Sequence, residues 1–415
     1  MKHKSYGETK VIDEMWADKL PSSWTLKPVK YLFDIGRGRV IAESGIGGGG
    51  EYPVYSSQTL NDGCMGFIDS YDYDCNQLTW TTDGANAGTV FMRKGKHNCT
   101  NVCGTLLPRE MVQLNLKYYL YTLGLIAQYH KRPDTNGAKI MNGEMAIIRL
   151  PYPSLIEQVC IARFLDRETI KLDTLISKQE HLIELLQEKR QAIISHAVTK
   201  GLNPDAKMKD SNVEWLGMVP EHWNVRRLKF NLGLLNEKTD RRDFSIGLEN
   251  IEGWSGKFIK TETEFDGEGI AFNIGDILFG KLRPYLAKVY LAEFSGEAVG
   301  DFHVMRPRDS VVGRFAQYQM LNREFISIVD GSTFGAKMPR ASWDFVGGMM
   351  VTTPPESEQE SIATYLDNQA AKIDTLINKA KRSIELAKEH RTALISAAVT
   401  GKIDVRNTSD NLETA

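Results

Sequence analysis

The sequence predicts an α+β protein. Two α/β domains are separated by two long antiparallel helices that form a coiled coil, and the whole is a pseudo-two-fold cyclic repeat. Three observations carry that prediction. A stretch of helical periodicity occurs twice, Gln158 recurring 201 positions later as Gln359. A Trp-Pro-Trp marker also occurs twice, 199 residues apart, from Trp16 to Trp215. Between marker and helix lie two regions with strand texture and little sequence in common. A repeat of this length is a statement about architecture and outranks any short motif.

The helices come first. Glu-Gln-x2-Ile-Ala-x2-Leu-Asp opens both copies, at 157–166 and 358–367, and about half of the aligned positions down to Thr199 and Thr400 are identical. Apolar residues recur at three and four: Ile161, Leu165, Leu172, Ile176, Ile183, Leu186 and Ile193 in one copy; Ile362, Leu366, Ile373, Ile377, Ile384 and Leu394 in the other. That spacing puts them on one face of each helix, with Lys, Glu, Arg and Gln opposite. Pro151 and Pro153, or Pro354 and Pro355, mark the helix starts, and neither glycine nor proline interrupts the runs. About 43 residues of helix would be ~65 Å long, more than a globular domain needs. Two such stripes can bury one another as an antiparallel coiled coil. The C-terminal sequence joined to the N-terminal one would regenerate something like the central connector, so the termini are expected close together.

The remaining elements follow from turn and strand signals. Each marker, Trp16-x4-Pro21-x2-Trp24 and Trp215-x4-Pro220-x2-Trp223, reads as a packing clasp at a domain's start. Short β-branched and aromatic runs at 52–55, 66–71, 78–82 and 88–92 are punctuated by Asn61-Asp-Gly63 and Asp83-Gly84. A helix is expected over about 115–130. In the second domain, strands are expected at 275–279, 287–291 and 302–305, with a helix over 313–325. The domain boundaries are 1–150 for the first domain, 151–200 for the central helix and 201–352 for the second domain with its connector. The C-terminal helix takes 353–403, and 404–415 is a flexible tail.

Bulk properties exclude several classes. With 415 residues, more than one domain is expected, and 42% hydrophobic with 25% charged residues is ordinary for a globular protein. No apolar run approaches the roughly 20 residues of a membrane span, and the first ten residues lack a signal-peptide core. Five cysteines, an odd number, argue against a disulfide framework and for a reducing compartment, so a cytoplasmic location is expected.

The motif search turns up no convincing catalytic constellation. Gly45–Gly50 satisfies G-x-G-x-x-G, but Glu51-Tyr-Pro53 follows where a helix should begin. Gly275–Leu282 resembles a phosphate loop, yet leucine stands where Ser or Thr must hold magnesium, and the stretch looks like a buried strand. Cys99-x3-Cys103 is read as a strand with both sulfurs on one face, and no metal is expected. Asn203-Pro-Asp-Ala206 is read as a turn after a helix. What remains is a set of basic and amide residues at turns, of the types that grip phosphates and read base edges. In the first domain these are Arg37, Arg39, Ser57, Gln58, Asn61, Asn86, Arg93, Lys94, Lys96, Lys131, Arg132 and Asn136; in the second, Lys238, Arg241, Arg242, Asn250, Lys281, Arg283, Lys337 and Arg340. The net charge of −2 gives mild support to the contrary view.

The doubled Glu-Gln-x2-Ile-Ala-x2-Leu-Asp, the Lys-x-Asp-Thr-Leu-Ile that follows it, and the closing Glu-x-Arg-x-Ala-x-Ile-Ser-x-Ala-Val-Thr carry a resemblance. With the Pro-x-x-Trp markers and Gly-Asp-Ile-Leu-Phe-Gly-Lys-Leu-Arg-Pro-Tyr at 275–285, the chain resembles the specificity subunits of type I restriction–modification systems over nearly its whole length. The resemblance implies that each variable domain is a target recognition domain reading one half of an asymmetric, bipartite site in double-stranded DNA. The helices would set the spacer and dock two methyltransferase subunits, and endonuclease subunits would join the complex. No cofactor is then expected in this chain: S-adenosylmethionine would belong to the methyltransferase subunits, ATP and magnesium to the endonuclease subunits. Two other readings stay open, a coiled-coil adaptor without DNA specificity and a segment with its own methyltransferase activity.

Overall fold

A computed structural model describes residues 4–42, 45–47, 49–135, 137–239, 244–261, 268–333 and 337–406. Both repeated segments are continuous helices, Leu155–Lys200 of 46 residues and Glu356–Val399 of 44. Ser154 starts the first. Its hydroxyl accepts from the Glu157 N–H at 3.3 Å while Glu157 accepts from the Ser154 N–H at 3.2 Å, a reciprocal cap on otherwise unpaired donors. Pro151, expected to mark the helix start, instead sits in the strand Arg149–Tyr152. Both helices end at a left-handed glycine, Gly201 (φ +76°) and Gly401 (φ +68°).

The chain divides into two units, residues 1–178 with 383–415 and residues 179–382, so each long helix belongs partly to both. In the first unit an antiparallel sheet runs in the order Val90–Arg93, Gln77–Thr81, Cys103–Pro108, Phe33–Arg37. A second sheet runs Cys64–Ile68, Tyr52–Tyr55, Lys96–Cys99, Tyr73–Asp74, with its two central strands parallel. The helix Leu116–Ile126 packs on the first sheet, and Ala127–His130 continues as a 3-10 turn. Its core holds Trp80, Leu78, Leu106, Tyr118 and Tyr119 together with Ile161, Leu165, Leu394 and Ala398 from the two long helices. The Trp80 ring explains Gly104: a Cβ there would lie 2.3 Å from its Cη2 atom. The termini of this unit meet where Lys4 bridges Asp404.

The second unit repeats that plan with different residues. Its first sheet is Leu232–Leu235, Phe302–Pro307, Ile277–Gly280, Val289–Leu291, all antiparallel. Its second is Lys238–Thr239, Gly269–Phe272, Gly296–Val299, Ser245–Ile246, again with one parallel pair. The strands match in chain order and pairing, apart from the outermost strand of the second sheet. Two expectations need correction. The helix expected over 313–325 is two helices, Gly313–Met320 and Arg323–Gly331, because the Asn322 side chain accepts from the Glu324 N–H and caps a new start. Cys99 and Cys103 do not share a strand: one strand ends at Cys99, a turn follows, and the next begins at Cys103, with both side chains buried.

The helix pairing is visible inside each unit. In the second, Leu186 packs with Ile373 and Ile377, flanked by Ile183 and Ile193, while Ile194 shares the domain core with Ile362 and Leu366. Rising numbers on one helix meet falling numbers on the other, so the pair is antiparallel. In the first unit Ile161 and Leu165 share a core with Leu394. Leu172, Ile176 and Ile384 are half-buried. The repeated Asp and Arg of the two copies pair across the helices: Asp173 with Arg391 at 3.0 Å in the first unit, Asp374 with Arg190 in the second. Lys257 from the second domain also binds Asp374. Burial pushes the Asp374 carboxyl up, but the hydrogen bonds from Lys257 and Arg190 outweigh it and hold the pKa below the usual carboxylate value.

Because the folded-state pKa of Asp374 is depressed, its contribution is fully present above the ordinary value of 3.8 and is lost as pH falls through the folded value. Replacing Asp374 with Asn should therefore destabilise the protein by about 1–3 kcal/mol at neutral pH, with the difference from the parent closing in acid. Asp173→Asn, at a pair with a 53% exposed carboxylate, should cost less than about 1 kcal/mol. Thermal melts from pH 3 to 7 check both; equal costs for the two variants would refute the assignment.

Candidate nucleic-acid interface

Each domain is seated on a long helix by the same three side chains. Glu157 accepts from the indole N–H of Trp24 at 3.2 Å, and Glu358 accepts from that of Trp223 at 2.9 Å. Both tryptophans are fully buried, so the markers are clasps, and an unpaired indole N–H there would carry a desolvation penalty. The Gln158 carbonyl accepts from the Asn115 N–H at 2.8 Å, and Gln359 accepts from the Val312 N–H at 2.9 Å, each at the start of a domain helix. Asp166 accepts from the Tyr121 hydroxyl at 2.9 Å and pairs with Lys117; Asp367 accepts from the Tyr318 hydroxyl at 2.7 Å and pairs with Arg314. Burial, followed by the neighbouring carboxylate, keeps Tyr318 protonated, and burial pushes Tyr121 up to about 12. The two domain helices thus carry a cation and a tyrosine four residues apart at matching places, a hidden repeat that could have been read from the sequence.

The sheet ends opposite this seat collect the exposed polar turns. In the first unit, Arg37 stands beside Gly104, and Thr81 beside Cys103, so these strand ends share one rim. Arg37 donates to the Asn101 carbonyl, and Arg39 binds Asp72 through contacts of 2.8 and 3.0 Å to its two oxygens. Asn86 reaches Thr59 at 3.3 Å, which joins its turn to Ser57, Gln58 and Asn61. Gln58 donates to the Cys64 carbonyl, and Asn61 is exposed. Arg132 pairs with Glu144, and its strand Arg132–Asp134 joins this rim through Gly137–Lys139, which pairs with Asp83–Gly84; Lys131 is half-buried beside Gly88. Lys94 and Lys96 lie apart, beyond Arg93, which pairs with Gln77 at the other end of the sheet; Lys96 sits over the Tyr71 ring at 4.6 Å. Asn136 lies outside the described residues, as do Arg241 and Arg242.

In the second unit, sequence-distant turns come together. Lys281, Leu282 and Arg283 run beside 339–341: Leu282 bridges Arg340, and the Arg283 N–H donates to the Pro339 carbonyl at 2.9 Å. Asp301 binds Arg340 through two contacts of 2.9 Å and lies 3.9 Å from Lys281. Lys337 and Arg283 are exposed nearby, while Lys238 pairs with Glu268 at 2.8 Å.

Two candidates prove to be internal supports. Arg93 is 3% exposed; it donates to Thr79 at 3.0 Å and to the Asp62 carbonyl at 2.7 Å, and lies 3.6 Å from the Tyr55 ring centre. It braces the left-handed pair Asn61 and Asp62, whose tip exposes Leu60. Asn250 is 4% exposed and binds Gly247, Ile259 and Thr261. Isolated residue types could not show this, because an arginine at a turn is usually solvated. His97 and His303 have pKa values lowered by burial, which makes them neutral structural groups. No sequence motif singles out Asp301, which binds Arg340 and lies near Lys281, or the exposed Leu60 and Tyr285. Among the described residues no group of three or more His, Cys, Asp or Glu side chains could hold a metal, and no helix is long and apolar enough to cross a membrane.

Two like-folded domains, each clasped to a repeated helix and each with its own polar rim, define a tandem recognition scaffold. The family model of the type I restriction modification DNA specificity domain matches residues 21–185. A Mycoplasma pneumoniae protein described as the N-terminus of a type I specificity subunit is 42% identical over 139 residues, 33% of this chain and 74% of that protein. The type I restriction enzyme EcoDI specificity subunit of Escherichia coli is 20% identical over 422 residues, covering 96% of this chain and 92% of that one. A chain from a structure of type I restriction–modification complex assembly shares the fold at a TM-score of 0.69 and 11% identity, covering 93% of this chain and all of that one. The HsdS subunit from Thermoanaerobacter tengcongensis gives 0.51 at 12% identity, covering 92% and 98%. The chain belongs to the type I restriction–modification specificity subunits, the subunits that confer DNA sequence specificity.

Arg93→Ala should destabilise the first unit by about 2–4 kcal/mol, because it removes a buried charged donor from two acceptors. A melt equal to that of the parent would show that the turn does not depend on Arg93.

Proposed function

We propose that each domain reads one half of an asymmetric, bipartite site in double-stranded DNA, and that this chain is the non-catalytic member of its complex. The observation that carries this is the combination of one strand plan with two different rims. Gln58, Asn61 and Asn86 make the first rim rich in amides, which suit adenine edges. Lys281, Arg283, Lys337 and Arg340 make the second rich in cations, of which arginine suits guanine. The spacer between the halves is assigned to the long helices, which are continuous elements shared by both units.

The same reading assigns two methyltransferase subunits to the helices. The apolar face is spent on pairing, yet repeat-equivalent leucines remain exposed: Leu175 (39%) and Leu386 (48%) in the first unit, Leu376 (48%) and Leu185 (47%) in the second. Two equivalent apolar patches fit two copies of one partner. S-adenosylmethionine is assigned to those subunits, ATP and magnesium to endonuclease subunits, and the complex to the cytoplasm. The adaptor reading has no use for the two polar rims.

Exchanging residues 25–150 for another such domain should change one half of the recognised site, as methylome sequencing would report. The incoming domain must supply a hydroxyl at position 121 and an indole must remain at Trp24. A change in both halves would refute the modular reading. Leu185→Glu with Leu376→Glu should abolish assembly with one methyltransferase copy in size-exclusion chromatography and leave the melting temperature within about 2 °C of the parent; retention of both copies would place docking elsewhere.

A further inference from the structure

We propose that Leu60 is a base-reading side chain of the first domain, packing on the C5 methyl group of a thymine in the major groove. This rests on the reading of the chain as a DNA-specificity subunit and names one residue with the group that it reads.

The loop is the first support. Asn61 (φ 51°), Asp62 (φ 53°) and Gly63 (φ 79°) are left-handed in succession. L side chains avoid that region, and a run of it persists only where the surroundings over-determine it. Here each carbonyl of the run has its own donor. The Cys64 N–H donates to Asn61, the Arg93 guanidinium to Asp62 at 2.7 Å, and the Ser56 N–H to Gly63 at 2.9 Å. Arg93 is in turn held by Thr79 and the Tyr55 ring. Ahead of the run, the Gln58 amide donates to the Cys64 carbonyl, and Asn86 reaches Thr59 at 3.3 Å. The loop is thus closed and braced, yet Leu60 at its tip is 78% exposed. An apolar side chain held out on a fixed loop gains little in folding, and it meets a partner with little further ordering cost.

The company of Leu60 is the second support. A lone exposed apolar residue is ordinary, but this one stands in the amide-bearing rim, flanked by exposed Thr59 and Asn61 and tied through Thr59 to exposed Asn86. Asp62 is exposed as well, and its carboxylate repels phosphates, so the tip suits base edges and not the DNA backbone. In the major groove an A·T pair presents the adenine N6 and N7, which pair with an amide, and the thymine methyl, which needs an apolar cover. Consecutive Cα atoms are about 3.8 Å apart and stacked bases about 3.4 Å, so Leu60 and Asn61 can address one pair or two neighbouring ones. The loop also lies in the region that the two halves of the chain do not share, where a determinant of one half-site must lie.

The test uses the assembled complex with its methyltransferase subunits and duplexes carrying the site found by methylome sequencing. Each thymine of the site is replaced in turn by deoxyuridine, which removes the C5 methyl and nothing else. With the unsubstituted chain, one such change, in the half-site altered by exchange of residues 25–150, should weaken binding about 3- to 5-fold. Leu60→Ala should weaken binding to the parent site about 3- to 20-fold and abolish the thymine–deoxyuridine difference at that one position, leaving the others as they were. Leu60→Met, which conserves volume, should keep the difference. An exposed tip residue should leave the melting temperature of either variant within about 2 °C of the parent. Equal weakening by Leu60→Ala on thymine and deoxyuridine would make Leu60 a wedge between base steps and overturn the proposal. Loss of a methyltransferase subunit from the Leu60→Ala complex would make it a protein contact, and unchanged binding would leave it no role; both overturn the proposal. If the unsubstituted complex bound all duplexes alike, the specificity reading itself would fail, a result separable from these.

Discussion

The hydrogen bonds that Glu157, Gln158 and Asp166 make to the first domain, and that Glu358, Gln359 and Asp367 make to the second, are the constraint on which the rest of the molecule depends. Each of these side chains satisfies a donor that the domain cannot satisfy alone: an indole N–H in a fully buried tryptophan, a backbone N–H at a helix start, and a tyrosine hydroxyl. Buried donors are costly when unpaired, so a domain seated in any other orientation would lose several such bonds together. The seat consequently fixes which sheet ends face outward, and it does so identically in two domains that share little sequence.

This division of labour accounts for the pattern of repetition and variation. Under the proposed reading, selection of a DNA site requires rims that differ, whereas seating requires helices that do not. The helices serve several demands at once. Their first turns enter the domain cores, their middle turns bury Leu186, Ile373 and Ile377, and their Asp and Arg residues pair across copies. The near-zero net charge also becomes intelligible. The cations of the rims are balanced by carboxylates elsewhere, so local charge is informative where the total is not.

Much of this was legible in residues alone. The 201-residue repeat implied the two helices and the doubled plan, and the turn signals placed most strands within a few residues. The break at Asn322 is not legible there, because a capping asparagine inside an amphipathic run looks like any polar position. The spacing of Cys99 and Cys103 fits alternation on one strand, and only the pairing of each with different partners shows the turn between them. Among the candidate DNA contacts, Arg93 and Asn250 have the residue type and turn position of surface contacts. Their burial depends on partners outside their own turns, Tyr55 and Asp62 for Arg93 and Ile259 and Thr261 for Asn250, which no local pattern reports.

What the sequence determined by itself is therefore the architecture, since helical periodicity and a long repeat are local or self-referential signals. The chemistry of the rims depends on tertiary pairing instead: Lys281 lies more than fifty residues from Arg340, yet Asp301 engages both. Such a cluster is made by strand pairing between distant segments, and the free energy that assembles it comes from a core in which none of those side chains takes part.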